Sequence, residues 1–360
     1  MSAPAAARPK SAKERSDQHR MLVGVRVRPL LRKESARNPH SCLEVKEGKH
    51  VFASDPDDKM GGIDYLRLDK NKDKAYTFDC AWGPDADSEA VYDATVKRTV
   101  RAVIEGFNAV CFAYGATGSG KTHTMMGREE APGVMPRAVS DLFAFAADDD
   151  DHTWSFTVTY VEIYNERVKD LLAAGDRARD AGKEPPPDLE VREDAQRGTH
   201  IAGAVELGVS SLRELMEHMQ RGSLYRTTES TQCNEASSRS HAILQVAVRA
   251  VKRYGEGGGK TKRLSKLSLI DLAGSERAYK TDNRGQRLVE GRSINRSLLA
   301  LANCINALAD RTRRSAFVPY RDSKLTRLLR DSLSGSSVSA MLCAVSPAAD
   351  CYEETLNTLK

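Results

Sequence analysis

Seven cysteines (Cys42, Cys80, Cys111, Cys233, Cys304, Cys343, Cys351) lie scattered through 360 residues, odd in number and without a C-x-x-C pair. Most sit in apolar runs, where a reduced cysteine packs as a small hydrophobe. A reducing, intracellular compartment follows. No apolar run is long enough to cross a bilayer, so no membrane partner is expected. His40, His50, His152, His200 and His218 show no metal-ligand spacing. The first twenty residues lack the apolar stretch of a secretory signal, and Glu14 and Asp17 count against a transit peptide. Residues 1–20 therefore read as a disordered basic arm. Internal repeats are absent, and a net charge of +5 is too small to name a partner by itself.

What is present suggests one domain over residues 21–360, because no break in composition divides the chain. Apolar, β-branched runs predict strands at Leu22–Val27, Ala109–Tyr114, Phe156–Tyr164, His200–Val205, Ala242–Val251, Leu264–Leu272 and Val338–Val345. Helical periodicity occupies Ser88–Glu105, Ser211–Arg221, Ser293–Ala309 and Ser323–Leu333. That alternation predicts a three-layer α/β domain. Asp55–Lys74 and Asp148–Asp151 read as polar loops, Ala173–Asp188 as an exposed insertion and Gly255–Lys262 as a long hairpin tip.

Gly115–Thr122 (GATGSGKT) fits G-x-x-x-x-G-K-[ST] between a predicted strand and a helix start. Glycines at that junction let backbone N–H groups of Gly115, Ala116, Thr117, Gly118, Ser119 and Gly120 face an anion, and the helix dipole adds positive potential. Lys121 would reach the β- and γ-phosphates, and Thr122 would coordinate Mg²⁺. The substrate class is a nucleoside triphosphate.

Two further motifs sharpen this. Asp271-Leu-Ala-Gly274-Ser-Glu276 is a D-x-x-G after an apolar strand. Its acid can hold a Mg²⁺ shell, and Gly274 can approach a γ-phosphate and change conformation when that phosphate leaves. Asn234-Glu-Ala-Ser237-Ser238-Arg239-Ser240-His241 sets two hydroxyls beside a planar donor fork. Alone, a serine-rich strand entry is more often just a turn.

Together these stretches resemble the kinesin motor domain. The likeness includes Arg26-Val-Arg28-Pro29, Phe112–Gly115, GSGKTHTMMG from Gly118, and Tyr160-Val-Glu162-Ile-Tyr164-Asn165-Glu166. It continues through LIDLAGSER, Ile294–Leu298, Pro319–Thr326 and Tyr352–Lys360, all in family order. The resemblance implies a three-layer P-loop NTPase fold with a central, mostly parallel mixed sheet of about eight strands and helices on both faces. It implies ATP/ADP and Mg²⁺ as cofactors, and microtubule-stimulated ATP hydrolysis coupled to movement. Arg26, Arg28 and Pro29 would border the adenine. His123 would lie near the base or serve as an ordinary helix histidine, and Tyr92 would touch the base or pack in its helix. Thr122, Ser238 and, through water, Asp271 would hold the metal. Ser237, Ser238, Arg239, Gly274 and Glu276 would form the hydrolytic set, with Arg239 and Glu276 as a salt bridge between two switches.

Between Arg311 and Arg330 there are seven Lys/Arg (Arg311, Arg313, Arg314, Arg321, Lys324, Arg327, Arg330) against one acid, Asp322. Such a basic segment suits a solvated surface or a nucleic-acid contact. In the kinesin pattern it faces tubulin, with Lys280, Arg284, Arg287, Arg292, Arg313, Arg314, Arg321, Lys324 and Arg327 as contacts and no nucleic-acid partner. Tyr114–Gly127, Leu301–Asp310 and the long Lys-containing loop near Lys70–Lys74 look most like the kinesin-8 subfamily, which is generally plus-end-directed and often modulates microtubule length. The implied setting is the cytoplasm and the microtubule cytoskeleton, including spindle or axoneme. The chain stops at Lys360, before a neck linker. The expectation is a monomeric fragment of a protein that dimerises through a coiled coil beyond it.

Two other functions compete. A kinesin-like microtubule-binding module without productive hydrolysis would share the fold, but intact Lys121, Thr122, Ser238, Arg239, Asp271, Gly274 and Glu276 argue against it. A GTPase switch also uses D-x-x-G, yet no N-K-x-D follows a late strand, and Asn71-Lys-Asp-Lys74 precedes the P-loop.

Overall fold

Alternating side chains of the strand Ala109–Tyr114 divide the core in two. Ala109, Cys111 and Ala113 join one buried cluster, and Val110 and Phe112 join another. That period of two, apolar on both faces, is the pattern of a central strand covered by helices on each side. A computed structural model of the chain describes residues 21–56, 74–177, 187–194, 198–231, 239–253, 262–276, 286–309, 317–333 and 337–360.

The amino-terminal part contains β1 (Leu22–Val27), α1 (Arg32–Arg37), β2 (Leu43–Lys46), β3 (His50–Ala53), β4 (Lys74–Thr77), β5 (Cys80–Trp82), α2 (Ser88–Ala94) and α3 (Lys97–Ile104). Next come β6 (Ala109–Tyr114), α4 (Lys121–Met125), α5 (Val134–Asp148), β7 (His152–Tyr164), β8 (Arg167–Asp170) and α6 (Leu171–Arg177). They are followed by β9 (Glu190–Asp194), β10 (Gly198–Ala202), β11 (Leu207–Val209), α7 (Leu212–Thr231), β12 (His241–Lys252) and β13 (Lys262–Asp271). The last are α8 (Gln286–Ala309), α9 (Lys324–Leu328), α10 (Arg330–Leu333), β14 (Val338–Val345) and α11 (Tyr352–Leu359).

The central sheet runs β11-β7-β12-β13-β6-β14-β1-β5, with β8 paired to β7. It is mixed by halves. From β13 through β6, β14 and β1 to β5 every junction is parallel. From β13 through β12 and β7 to β11 and β8 every junction is antiparallel. Helices α2, α3, α5 and α7 supply Val91, Val100, Met135 and Leu215 to one face. Helices α8, α9 and α10 supply Leu298, Leu301, Leu325, Leu328 and Leu333 to the other.

Several expectations are corrected. The helix expected over Ser88–Glu105 is two helices. Thr95 breaks it by donating its hydroxyl to Val91 O at 2.6 Å while its backbone leaves the helical region. Ser323–Leu333 likewise divides at Leu329 into α9 and α10. The strand expected at His200–Val205 is β10, shifted to Gly198–Ala202 and paired with β9 in a separate hairpin off the central sheet. Ala173 and Ala174 belong to α6, with Ala174 fully buried, instead of an exposed insertion.

Candidate functional site

β6 delivers the chain to the glycine loop at the carboxyl edge of the parallel half-sheet, where open α/β sheets place ligands. Gly115, Gly118 and Gly120 have φ of 146°, 74° and 101°. A Cβ on Gly115 would lie 2.1 Å from Ala344 O of β14, so neither the backbone conformation nor the space admits a side chain. Lys121, the first residue of α4, is buried. Its ammonium donates to Gly115 O at 2.8 Å and Ala116 O at 2.9 Å. Burial lowers its pKa, with the Asp271 and Glu276 carboxylates acting against that shift.

A cavity of about 410 Å³ opens beside the loop. Arg26, Arg28, Pro29 and the run from Thr117 to His123 line it. Gly115 and Ala116 do not; their carbonyls accept from Lys121. Leu31, Pro84, Thr124 and Arg128 also line it and went unnoticed in the sequence, because no motif marks them. Both arginines of the Arg26-Val-Arg28-Pro29 run are engaged by protein acceptors. Arg26 donates to Ala86 O at 3.1 Å and Ser88 Oγ at 3.2 Å. Arg28 forks onto Glu34 at 2.7 and 2.6 Å and donates its Nε–H to Gly118 O at 2.7 Å, so it braces the loop. Burial, with Arg26 and Arg128 nearby, lowers the His123 pKa and favours a neutral ring at this wall. Tyr92 does not line the cavity; its hydroxyl donates to Asp141 at 2.6 Å, the packing role.

Asp271 ends β13 directly beneath Thr122. The Thr122 hydroxyl donates to Asp271 Oδ2 at 2.6 Å, while Asp271 Oδ1 is buried with no hydrogen-bond partner. An unpartnered buried carboxylate oxygen is costly unless something charged completes it. One hydroxyl and one carboxylate at a phosphate loop fit Mg²⁺, which takes few protein ligands and fills its shell with phosphate oxygens and water. Among the described residues no cluster of three or more His, Cys, Asp or Glu offers an all-protein metal cage.

Gly274 and Glu276 follow on the same strand exit. The Ser275 N–H donates to Gly115 O at 3.1 Å, pinning this segment to the phosphate loop. Glu276 accepts from Thr117 N at 2.8 Å and also from the Thr117 hydroxyl. Its carboxylate is thus gripped by the phosphate loop, where the resemblance implies Arg239 as partner. The reason is proximity, since the Ser275 bond brings Glu276 over Thr117. A Cβ on Gly274 would lie 2.3 Å from both Glu276 Oε2 and Thr117 Oγ1, so a side chain here would displace the Glu276–Thr117 contact. Arg239 stands half-buried before β12. Ser237 and Ser238 lie outside the described residues.

Two buried connections here carry no motif name. Arg226 of α7 donates to Glu162 of β7 at 3.1 Å and to Ser240 O at 2.9 Å. His241 accepts from Ala273 N at 3.1 Å and contacts Ser297 Oγ of α8 at 2.8 Å. Arg226 was illegible in the sequence, because its α7 surroundings show no regular apolar stripe.

Of the expected filament contacts, Arg321, Lys324 and Arg327 line a second cleft of about 650 Å³ together with Glu190, Val191, Arg192 and Glu193. Ser323 caps α9 through Thr326 N at 3.1 Å, and Lys324 N donates to Glu166 Oε2 at 2.7 Å. Arg327 turns onto the β9–β10 hairpin, donating to Val191 O at 3.0 Å, and Arg330 pairs with Glu193. Lys280, Arg284, Arg313 and Arg314 lie outside the described residues. For Arg287 and Arg292 only their place in α8 is described.

Residues 26–360 match the family model of the Kinesin motor domain. The chain is 42% identical over 355 residues to the kinesin-like protein KIF19 of Mus musculus, which covers 96% of the chain and 33% of that protein. It is 45% identical over 342 residues to the kinesin-like protein KIN-8A of Oryza sativa subsp. japonica, covering 94% of the chain and 41% of that protein. The chain thus spans between a third and two fifths of these relatives' length. Among solved structures it is similar, at TM-score 0.82 and 35% identity, to a KIF14 dimer in a two-heads-bound state, with AMP-PNP and in complex with a microtubule. That match covers 94% of this chain and 91% of the other. A fast kinesin matches at TM-score 0.80 and 34% identity, covering 95% of this chain and 89% of the other.

Proposed function

This chain belongs to the kinesin motor-domain family, and on that premise we propose that it is a microtubule-stimulated ATPase of the kinesin-8 type. The observation that carries the reading is the Thr122–Asp271 pair, with one buried carboxylate oxygen unpartnered, set beside the buried Lys121 ammonium. Such a cluster is electrostatically incomplete without a phosphate and a cation. Similarity to a motor structure that holds AMP-PNP on a microtubule supports ATP as nucleotide and tubulin polymer as partner.

Thr122, Ser238 and, through water, Asp271 would hold Mg²⁺, which when bound would neutralise developing phosphate charge as a Lewis acid. Lys121 exchanges its two carbonyl bonds for phosphate oxygens. Gly274 offers its N–H to the γ-phosphate, and Ser237 orients the attacking water. Glu276 releases Thr117 and takes Arg239, which closes the two switches over the nucleotide. Phosphate release reverses that exchange and loosens the face carrying Arg321 and Lys324. The protein would work on cytoplasmic microtubules, at spindle or axoneme.

Phosphate release measured with and without microtubules tests the reading. Turnover in ATP should rise with microtubules and vanish in Lys121→Ala, whose nucleotide binding should also be lost. Binding to microtubules without any stimulated turnover would favour a filament-binding module that does not hydrolyse ATP.

A further inference from the structure

His241 opens β12 and is fully buried between the exit of β13 and the helix α8. On one side lies Ala273, between Asp271 and Gly274. On the other lies Ser297, in the helix α8 that also carries Arg287 and Arg292. All three residues are at most 2% exposed, so water cannot replace their hydrogen bonds.

The proton inventory of the ring is settled by its partners. A backbone N–H only donates, so the 3.1 Å contact from Ala273 N makes His241 Nδ1 an acceptor. The ring is then neutral with its proton on Nε2, which donates to Ser297 Oγ at 2.8 Å. Burial, with Arg226 and Lys121 nearby, pushes the His241 pKa down to about 3, in keeping with that neutral form. The two bonds leave from opposite sides of one rigid ring. A displacement of the Ala273 backbone must therefore carry Ser297 with it or leave a buried donor and acceptor unpaired, which is unfavourable.

We propose that His241 is a positioning residue that couples the phosphate-sensing segment at Ala273–Gly274 to α8 through Ser297, and so sets how strongly nucleotide state changes microtubule affinity. The inference rests on the motor function proposed above and adds the path by which its two halves communicate. His241 touches neither nucleotide nor filament; it acts by transmitting position.

The test compares microtubule co-sedimentation in AMP-PNP and in ADP, alongside basal ATP turnover and thermal melting of the same 360-residue chain. Ser297→Ala removes the far acceptor, and Ser297→Thr restores a hydroxyl. His241→Asn retains an acceptor for Ala273 but is too short to reach Ser297. In Ser297→Ala the ratio of the two affinities should fall about fivefold or more, the scale of an ordinary coupling between sites. Basal turnover and melting should stay near the parent values, and Ser297→Thr should recover the ratio. His241→Asn should lower the ratio similarly, and the double variant should be no worse than either single one, since one bond is lost once. An unchanged ratio in folded Ser297→Ala, or no recovery with Ser297→Thr, overturns the proposal; if His241→Asn fails to fold, the Ser297 pair still decides. Equal affinities in AMP-PNP and ADP for the parent chain would instead remove the motor reading on which the inference depends.

Discussion

Glu276 is the residue whose setting differs most from expectation, and the difference is mechanistic. It holds Thr117 on the phosphate loop, and in the proposed cycle it must leave to pair with Arg239. Glu276→Ala should still bind nucleotide, measured by fluorescent-nucleotide titration, while single-turnover hydrolysis slows by roughly 10²-fold or more. Normal hydrolysis in that variant would assign Glu276 to holding the loop and nothing else. His241 gives a second prediction at this scale. Its folded pKa of about 3 lies below the ordinary 6.5, so the unfolded chain binds a proton that the folded chain excludes. The stability linked to it is present above about pH 6.5 and is lost as pH falls towards 3. Denaturant titrations should show a shallower acid dependence in His241→Gln than in the parent over that window.

Between elements, the Arg226–Glu162 ion pair ties α7 to β7 with both side chains at most 8% exposed. Removing one partner leaves a buried charge, so Arg226→Met should cost about 3–5 kcal/mol in urea denaturation. Adding Glu162→Leu should recover most of that, and equal losses in the single and double variants would contradict the account. The elements also separate what was legible from what was not. β1, β6 and β14 have the bounds their apolar runs predict, because a strand covered on both faces reads as a mainly hydrophobic stretch. Strands β2, β3, β4, β5, β8, β9 and β11 were not seen, since three to five residues of mixed polarity carry too little periodicity. The single helix expected at Ser88–Glu105 failed because a local hydroxyl bond at Thr95 competes with a periodicity that spans the break.

On the scale of the whole molecule, the basic segment ending at Arg330 looks different once folded. Seven cations face one acid in sequence, yet the β9–β10 hairpin brings Glu190 and Glu193 beside them. Asp331 holds that hairpin through Thr199 N at 2.6 Å, and Lys266 holds it through Thr199 O at 3.0 Å. Arg327 and Arg330 are therefore partly spent within the molecule, which leaves Arg321 and Lys324 as the stronger candidates for tubulin contact among the described cations of this segment. Microtubule affinity should fall steeply as salt rises from about 0.05 to 0.2 M, because exposed charge contacts are screened on that scale. The combined Arg321→Ala and Lys324→Ala change should weaken binding and flatten that salt dependence in co-sedimentation. An unaltered slope would move the electrostatic contact elsewhere.

The linear chain by itself determined the phosphate loop, the acid and glycine of Asp271–Gly274 and the family, because contiguous residues make each of those features. Only tertiary structure decided that Asp271 meets Thr122, that Glu276 reaches Thr117, that Arg28 braces Gly118 and that His241 bridges Ala273 and Ser297. Each of those contacts joins segments far apart in sequence. No local pattern encodes them; the order of the strands in the sheet brings them together.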